Sequence, residues 1–196
     1  QGSRGLGDVY KRQLLFTSLL SVSAYAGTDD ETAYALNTLL FLISGFLVML
    51  MAAGFCMLES GMVTSKSVST IAAKNIGLYS IAGIMFWVIG YNVAYGIPEG
   101  GYIGSFTPWS DASAIETGYS DGSDWWFQMV FCATTVSIVS GTLAERIKIW
   151  PFFLFAAILT GVIYPIEMGW QWGGGWLSAA GFSDFAGSTL VHAAGG

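Results

Sequence analysis

From Thr32 to Leu58 the chain carries no charged residue. An α-helix needs about 20 apolar residues to cross roughly 30 Å of hydrocarbon, so this run predicts a first spanning helix with length to spare for tilt. Its Gly45, Ala52, Ala53 and Gly54 are small enough to let a neighbouring helix approach closely. A second apolar helix is expected from about Ser67 to Tyr95, with Lys74 one to two turns inside it and expected to snorkel back to the interface. A third follows Asp124, from Trp125 to about Leu143. A fourth opens at Pro151, where a missing N–H costs nothing, and runs to about Ile166. A fifth begins after Asp184 with the apolar stretch Phe185–Ala194.

Between these runs lie four polar links. Glu59–Lys66 is short, and Ile97–Ser123 is long, with Pro98, Pro108 and the acids Glu99, Asp111, Glu116 and Asp121. Glu145–Lys148 forms a turn, and Glu167–Ser183 is rich in Trp and Gly and is expected to be an interfacial loop or short broken helix.

Composition agrees with a membrane protein. Hydrophobic residues make up 54% and charged ones 10%, with a mean hydropathy of +0.59, whereas an ordinary soluble domain carries about 25% charge. Cys56 and Cys132 both fall in apolar spans, which suggests packing residues rather than a disulfide framework or thiolate metal site. Lys11 and Arg12, the apolar run Leu14–Val22 and Ala24-Tyr25-Ala26 read as a secretory signal peptide, with its h-region and cleavage site over residues 14–26 and a mature chain from Gly27. That apolar run is short for a spanning helix. The first Met is Met49, so residues 1–13 are set aside as a leader of uncertain origin.

The basic residues fix an orientation. Lys66 and Lys74 flank the first link, Arg146 and Lys148 occupy the third, and the second and fourth links have none. The positive-inside rule then puts the first and third links in the cytoplasm and the mature N-terminus outside, with Trp172 and Asp184 on the external side. From Gly27 onward twelve acids face four bases, which argues against nucleic-acid binding.

Four residues stand out as candidates for chemistry. Asp184 sits where a helix N-cap belongs, its carboxylate able to reach free backbone N–H groups. His192 would lie two turns deeper, roughly 12 Å along the axis and near mid-membrane, where an ionisable group is costly. Trp172 reads either as an interface anchor or as part of an outer mouth. Phe131 reads as a core or lipid-facing aromatic unless it lines a path. No metal-ligand spacing or nucleophile accompanies them, so an enzyme using Asp184 and His192 as acid and base is disfavoured.

Asp184-Phe-Ala-Gly-Ser-Thr-Leu-Val-His192 resembles the fifth-helix motif of the ammonium transporter (Amt/MEP/Rh) family, in particular its bacterial Amt branch. Trp172-Gly-Gly-Gly, Gly141-Thr-Leu-Ala-Glu-Arg146 and Met57-Leu-Glu-Ser-Gly-Met62 with Lys74-Asn75 resemble further family segments in the same order, over about residues 30–196. The resemblance implies an all-α polytopic membrane fold of eleven helices built from two inverted halves. Residues 27–196 would form the transporter domain, supplying the first half, about five helices, and stopping within the fifth.

The resemblance also implies roles. Trp172 would line an external site that recruits ammonium by cation–π attraction. Phe131 would close the vestibule, Asp184 would act structurally and electrostatically, and His192 would line a hydrophobic pore with a second His from the other half. The implied protein is a homotrimer in the inner (plasma) membrane carrying ammonium or ammonia, with no cofactor and with a PII-type regulator on its cytoplasmic side. The alternative is an ammonium sensor, in which the same fold is joined to a cytoplasmic signalling module.

Overall fold

The computed structural model describes residues 29–196, and the regular elements among the described residues are helical. The leader at 1–13 and the signal peptide at 14–26 lie outside the described residues. Helix α1 spans Asp30–Met62 and is opened by Asp29, whose carboxylate accepts a hydrogen bond from the Thr32 N–H at 2.7 Å, one of the N–H groups left without an intrahelical partner. A 3₁₀ turn at Ser65–Ser67 leads into α2 (Val68–Met85), a π turn (Phe86–Gly90) and α3 (Tyr91–Tyr95), which join end to end as one rod. After the long loop comes α4 (Asp121–Thr142). A second rod follows, made of α5 (Ile149–Ile158), a π turn (Leu159–Ile163) and α6 (Tyr164–Gln171). Two short helices close the chain, α7 (Trp176–Ala179) and α8 (Leu190–Gly195).

Three of these stretches, Asp30–Met62, Ser65–Tyr95 and Ile149–Ala179, are long and apolar enough to cross a membrane. With 22 residues, or about 33 Å, α4 is also long enough, but it is richer in Ser and Thr. Its position explains this. It packs against α1, α2 and α8, and every residue from Cys132 to Ser137 is buried, so protein rather than lipid surrounds it. The hydroxyls of Thr134, Thr135 and Ser137 each donate to a carbonyl one turn back, at 2.8, 3.3 and 3.2 Å, which removes the penalty of burying them. The opposite case is α1. Leu40, Leu47 and Leu50 are each more than 60% exposed, a surface suited to lipid or to another protein rather than to water.

The core is stacked in two clusters along the bundle. One gathers Phe86, Met129, Val130, Tyr164 and Met168, and the other Leu78, Val136, Phe152, Ala156 and Leu159. Glu145, in the turn after α4, holds a left-handed backbone at φ 61°, costly for a non-glycine residue. Its carboxylate accepts from both the N–H and the hydroxyl of Thr64, tying that turn to the link between α1 and α2 and holding the Glu145 carboxyl below its ordinary pKa.

Several expectations need correction. The first link does not begin at Glu59, because α1 continues to Met62 and carries Glu59 inside it, 3% exposed. Lys74 does not snorkel. Its Nζ lies 2.8 Å from Glu59 Oε2 and 2.9 Å from the Ser140 carbonyl, because a buried carboxylate within reach outcompetes a long route to water. The third helix starts at Asp121 rather than Trp125, which puts Asp124 inside it. The fourth extends past Ile166 to Gln171, and Pro165, which cannot donate to the preceding turn, falls directly after the π turn that accommodates it. Cys132 is buried as expected, but Cys56 is only half-buried.

The largest correction concerns the fifth helix. Regular helix begins at Leu190, not after Asp184, and residues 185–189 form bends and turns. The helical rise therefore does not place His192 two turns below Asp184.

Candidate functional site: an aromatic cavity beside the Asp184 loop

Trp172 caps the C-terminal end of α6 and stands at the start of the Gly173–Gly175 run. Glycine is required at 173, because a Cβ there would come within 2.0 Å of the Ala94 carbonyl oxygen. The chain can thus turn sharply against α3 and return over the end of the bundle. The return segment passes beside the indole, whose Nε1–H donates to the backbone carbonyl of Asp184 at 2.7 Å. Gly187 makes this approach possible. It has φ +75°, and a Cβ on it would meet Trp172 Cη2 at 2.9 Å and Val191 Cγ2 at 2.8 Å.

The carboxylate of Asp184 is 5% exposed and turned inward to its own loop. Oδ1 accepts from the N–H groups of Gly187 and Ser188 at 2.9 and 3.1 Å, and Oδ2 from those of Thr189 and Leu190 at 2.7 and 2.9 Å. The cap expected from the sequence exists in a different form. One carboxylate gathers four N–H groups ahead of α8 from outside the N-cap position. Burial pushes the Asp184 carboxyl up, but the four backbone donors outweigh it and hold the pKa below its ordinary value.

Phe131, on α4, faces Trp172 edge-on with ring centroids 5.5 Å apart, and Phe127 meets Phe131 at 5.1 Å. These rings, with Tyr95, Gln128 and Phe185, line a cavity of about 270 Å³. Phe131 and Trp172 therefore share one cavity, and Asp184 braces it through its backbone without lining it. His192 is not part of this group. It lies on the exposed face of α8, while Leu190, Val191 and Gly195 pack inward.

Adjoining the cavity through Gln128 is a polar network absent from the sequence reading. Asp124, 6% exposed, accepts from the Tyr91 hydroxyl at 2.7 Å and from Gln128 Nε2 at 3.3 Å. The i, i+4 spacing of Asp124 and Gln128 in an apolar helix was the available signal. Chemically, the cavity offers aromatic faces and edges with few polar groups. Such a site favours a small monovalent cation that can shed water against π-electron density, over an anion or a bulky polar ligand.

The family model described as Ammonium Transporter Family matches residues 39–196. The chain is 40% identical over 202 residues to ammonium transporter Amt2 of Archaeoglobus fulgidus, an alignment covering 91% of this chain and 42% of that protein. It is 38% identical over 161 residues to ammonium transporter Amt2 of Haloferax mediterranei, covering 77% of this chain and 34% of that one. Among solved structures, a sensor Amt protein superposes with a TM-score of 0.77 at 31% identity, over 85% of this chain and 43% of that one. The chain thus spans less than half the length of these relatives.

Proposed function

The chain belongs to the Ammonium Transporter Family, and on that premise we propose that it supplies the outer recruitment site and part of the pore of a protein that carries ammonium or ammonia across a membrane. The observation that carries the reading is the Phe131–Trp172 pair over a cavity, with the indole N–H tied to the Asp184 carbonyl. In this reading ammonium is drawn from water onto the Trp172 face. Phe131 strips its hydration shell, and the cation gives up a proton to water at the mouth before entering the apolar path as ammonia. Deprotonation follows from cost, since taking a bare charge through hydrocarbon requires on the order of several kcal/mol. His192 then lines the route of neutral ammonia, with its exposed face turned toward the remainder of the transporter. Asp184 sets the shape of the mouth through its four N–H contacts and adds negative potential near it.

The same reading places the protein in the inner membrane as a homotrimer, with the mature N-terminus outside and the Lys66 and Arg146 links inside, where a PII-type regulator would dock. Residues 27–196 act as a transporter domain in it, preceded by a signal peptide. The test is ammonium flux in proteoliposomes of the full-length protein, with potassium as the competing ion. Trp172→Leu and Phe131→Ala should each raise the half-saturating ammonium concentration, and unchanged saturation in both would sink the recruitment site. Sensing is the second reading, favoured by the likeness to a sensor Amt protein. Full-length protein that binds ammonium with no measurable flux would favour it.

A further inference from the structure

An ionised side chain buried inside a protein is normally matched by a cation close by, because an unmatched charge is costly to take out of water. Glu59 follows this rule, with Lys74 at 2.8 Å. Asp124 does not. It is 6% exposed, and among the described residues its side-chain partners are two neutral groups, the Tyr91 hydroxyl at 2.7 Å and Gln128 Nε2 at 3.3 Å. Arg146 and Lys148 lie beyond the far end of α4, Lys66 lies before the start of the rod whose far end carries Tyr91, and Lys74 is taken by Glu59. So little free surface on Asp124 leaves scant room for a cation from any other segment.

The site nonetheless favours the charged form. Asp124 stands in the first turn of α4, where backbone N–H groups without intrahelical partners attract an anion.

The neighbour that can hold the missing positive charge is the aromatic cavity. Gln128 lines it and donates directly to Asp124, and Tyr95 lines it and meets Tyr91 with ring centroids 4.9 Å apart. Asp124 thus stands one side chain behind the wall at Gln128 and two behind it at Tyr95. The intervening material is protein, through which a charge reaches further than through water. Asp184, by contrast, shares its charge among four backbone N–H groups of its own loop.

We propose that Asp124 is the counter-charge of the recruitment cavity. Its carboxylate acts through Gln128 without touching the ion, and holds a monovalent cation against Phe131 and Trp172. This inference rests on the recruitment reading above and adds to it the source of preference for the charged form. Aromatic faces attract a cation only modestly where water has access, and a fixed negative charge behind them concentrates ammonium over neutral ammonia.

The test measures ammonium flux against concentration in proteoliposomes of the full-length protein. Asp124→Asn removes the charge and keeps the shape and an acceptor oxygen, whereas Asp124→Glu keeps the charge. The Asn variant should raise the half-saturating concentration about tenfold, the order expected of one unit charge beyond contact distance inside a protein, with maximal flux near wild type. The Glu variant should restore half-saturation toward wild type. If the Asn variant does not assemble, Asp124→Ala/Tyr91→Phe takes its place, because it removes the charge without leaving the hydroxyl unpaired, and the same rise is expected. Unchanged half-saturation in the charge-free variant, or an equal rise in the Glu variant, would overturn the counter-charge and leave transport standing. Wild-type proteoliposomes that carry no ammonium would overturn the transport reading itself.

Discussion

Trp172 and Asp184 are joined by a side chain on one partner and the backbone on the other, since the indole N–H donates to the Asp184 carbonyl at 2.7 Å. The Asp184 side chain is thereby free to turn the other way and collect four N–H groups ahead of α8. One residue thus fixes both the ring at the cavity and the start of the next helix, and substitutions at 184 should disturb the two together.

Asp184→Ala strips four buried or half-buried donors of their acceptor, and should cost about 2–4 kcal/mol of stability together with most ammonium flux. Asp184→Asn keeps one acceptor oxygen and should retain part of the stability. Thermal melting and flux on the same preparations check this. Equal loss of flux in Ala and Asn variants of unequal stability would assign the flux effect to charge, not architecture.

The Asp184 pKa is lowered in the folded protein, so its stabilising contribution is fully present above the ordinary carboxylate range of about 4 and is lost as pH falls through the depressed folded value. The gap in melting temperature between wild type and Asp184→Asn should be constant from neutral pH down to about 5 and shrink below about 4. A gap that widens on acidification would contradict the lowered pKa.

Gly187→Ala adds a Cβ that meets the Trp172 ring at 2.9 Å, on a left-handed backbone. It should destabilise by about 1–3 kcal/mol through strain and steric overlap. Tryptophan fluorescence should shift as well, because the indole must move. A wild-type melt with an unchanged spectrum would mean that the loop yields instead.

The cysteines test burial. Cys132 is fully buried, with Sγ 3.4 Å from the Thr160 carbonyl, whereas Cys56 is half-exposed. A membrane-permeant maleimide should label Cys56 in native membranes and Cys132 only after denaturation. Rapid labelling of Cys132 by an impermeant reagent would contradict its place in α4.

For the orientation proposed from Lys66, Lys74, Arg146 and Lys148, reporters fused after Asp111 and after Arg146 should appear outside and inside respectively. Both on one side would overturn it, and the outward placement of Trp172 as well.

How far the sequence was legible depended on whether the deciding interaction was local. The long helices followed from the length of their predominantly apolar runs. The juxtaposition of Phe131 with Trp172 came only from motif resemblance, because no periodicity links residues on different helices. Lys74 was misread because its partner, Glu59, looked like part of a link, and a pair between two helix ends leaves no mark in either segment. The start of α8 was misread because Asp184 followed by an apolar run has the pattern of an N-cap. Gly187 sits in that run in a left-handed conformation, which a one-dimensional pattern does not reveal.

The π turn at Leu159–Ile163 carries a consequence for the site some distance along the same rod. A π turn is an α-helix with one extra residue lodged in it, and each residue of helix turns the chain by about 100°. The extra residue therefore sets the compass bearing of everything after it, including Trp172. Were the same residues wound as regular α-helix, with the extra one no longer absorbed in the turn, the far end of the rod would be rotated by about 100° and carried about 1.5 Å onward. The indole would then point away from both Phe131 and the Asp184 carbonyl. In this stretch a change of winding is a change of aim rather than of span.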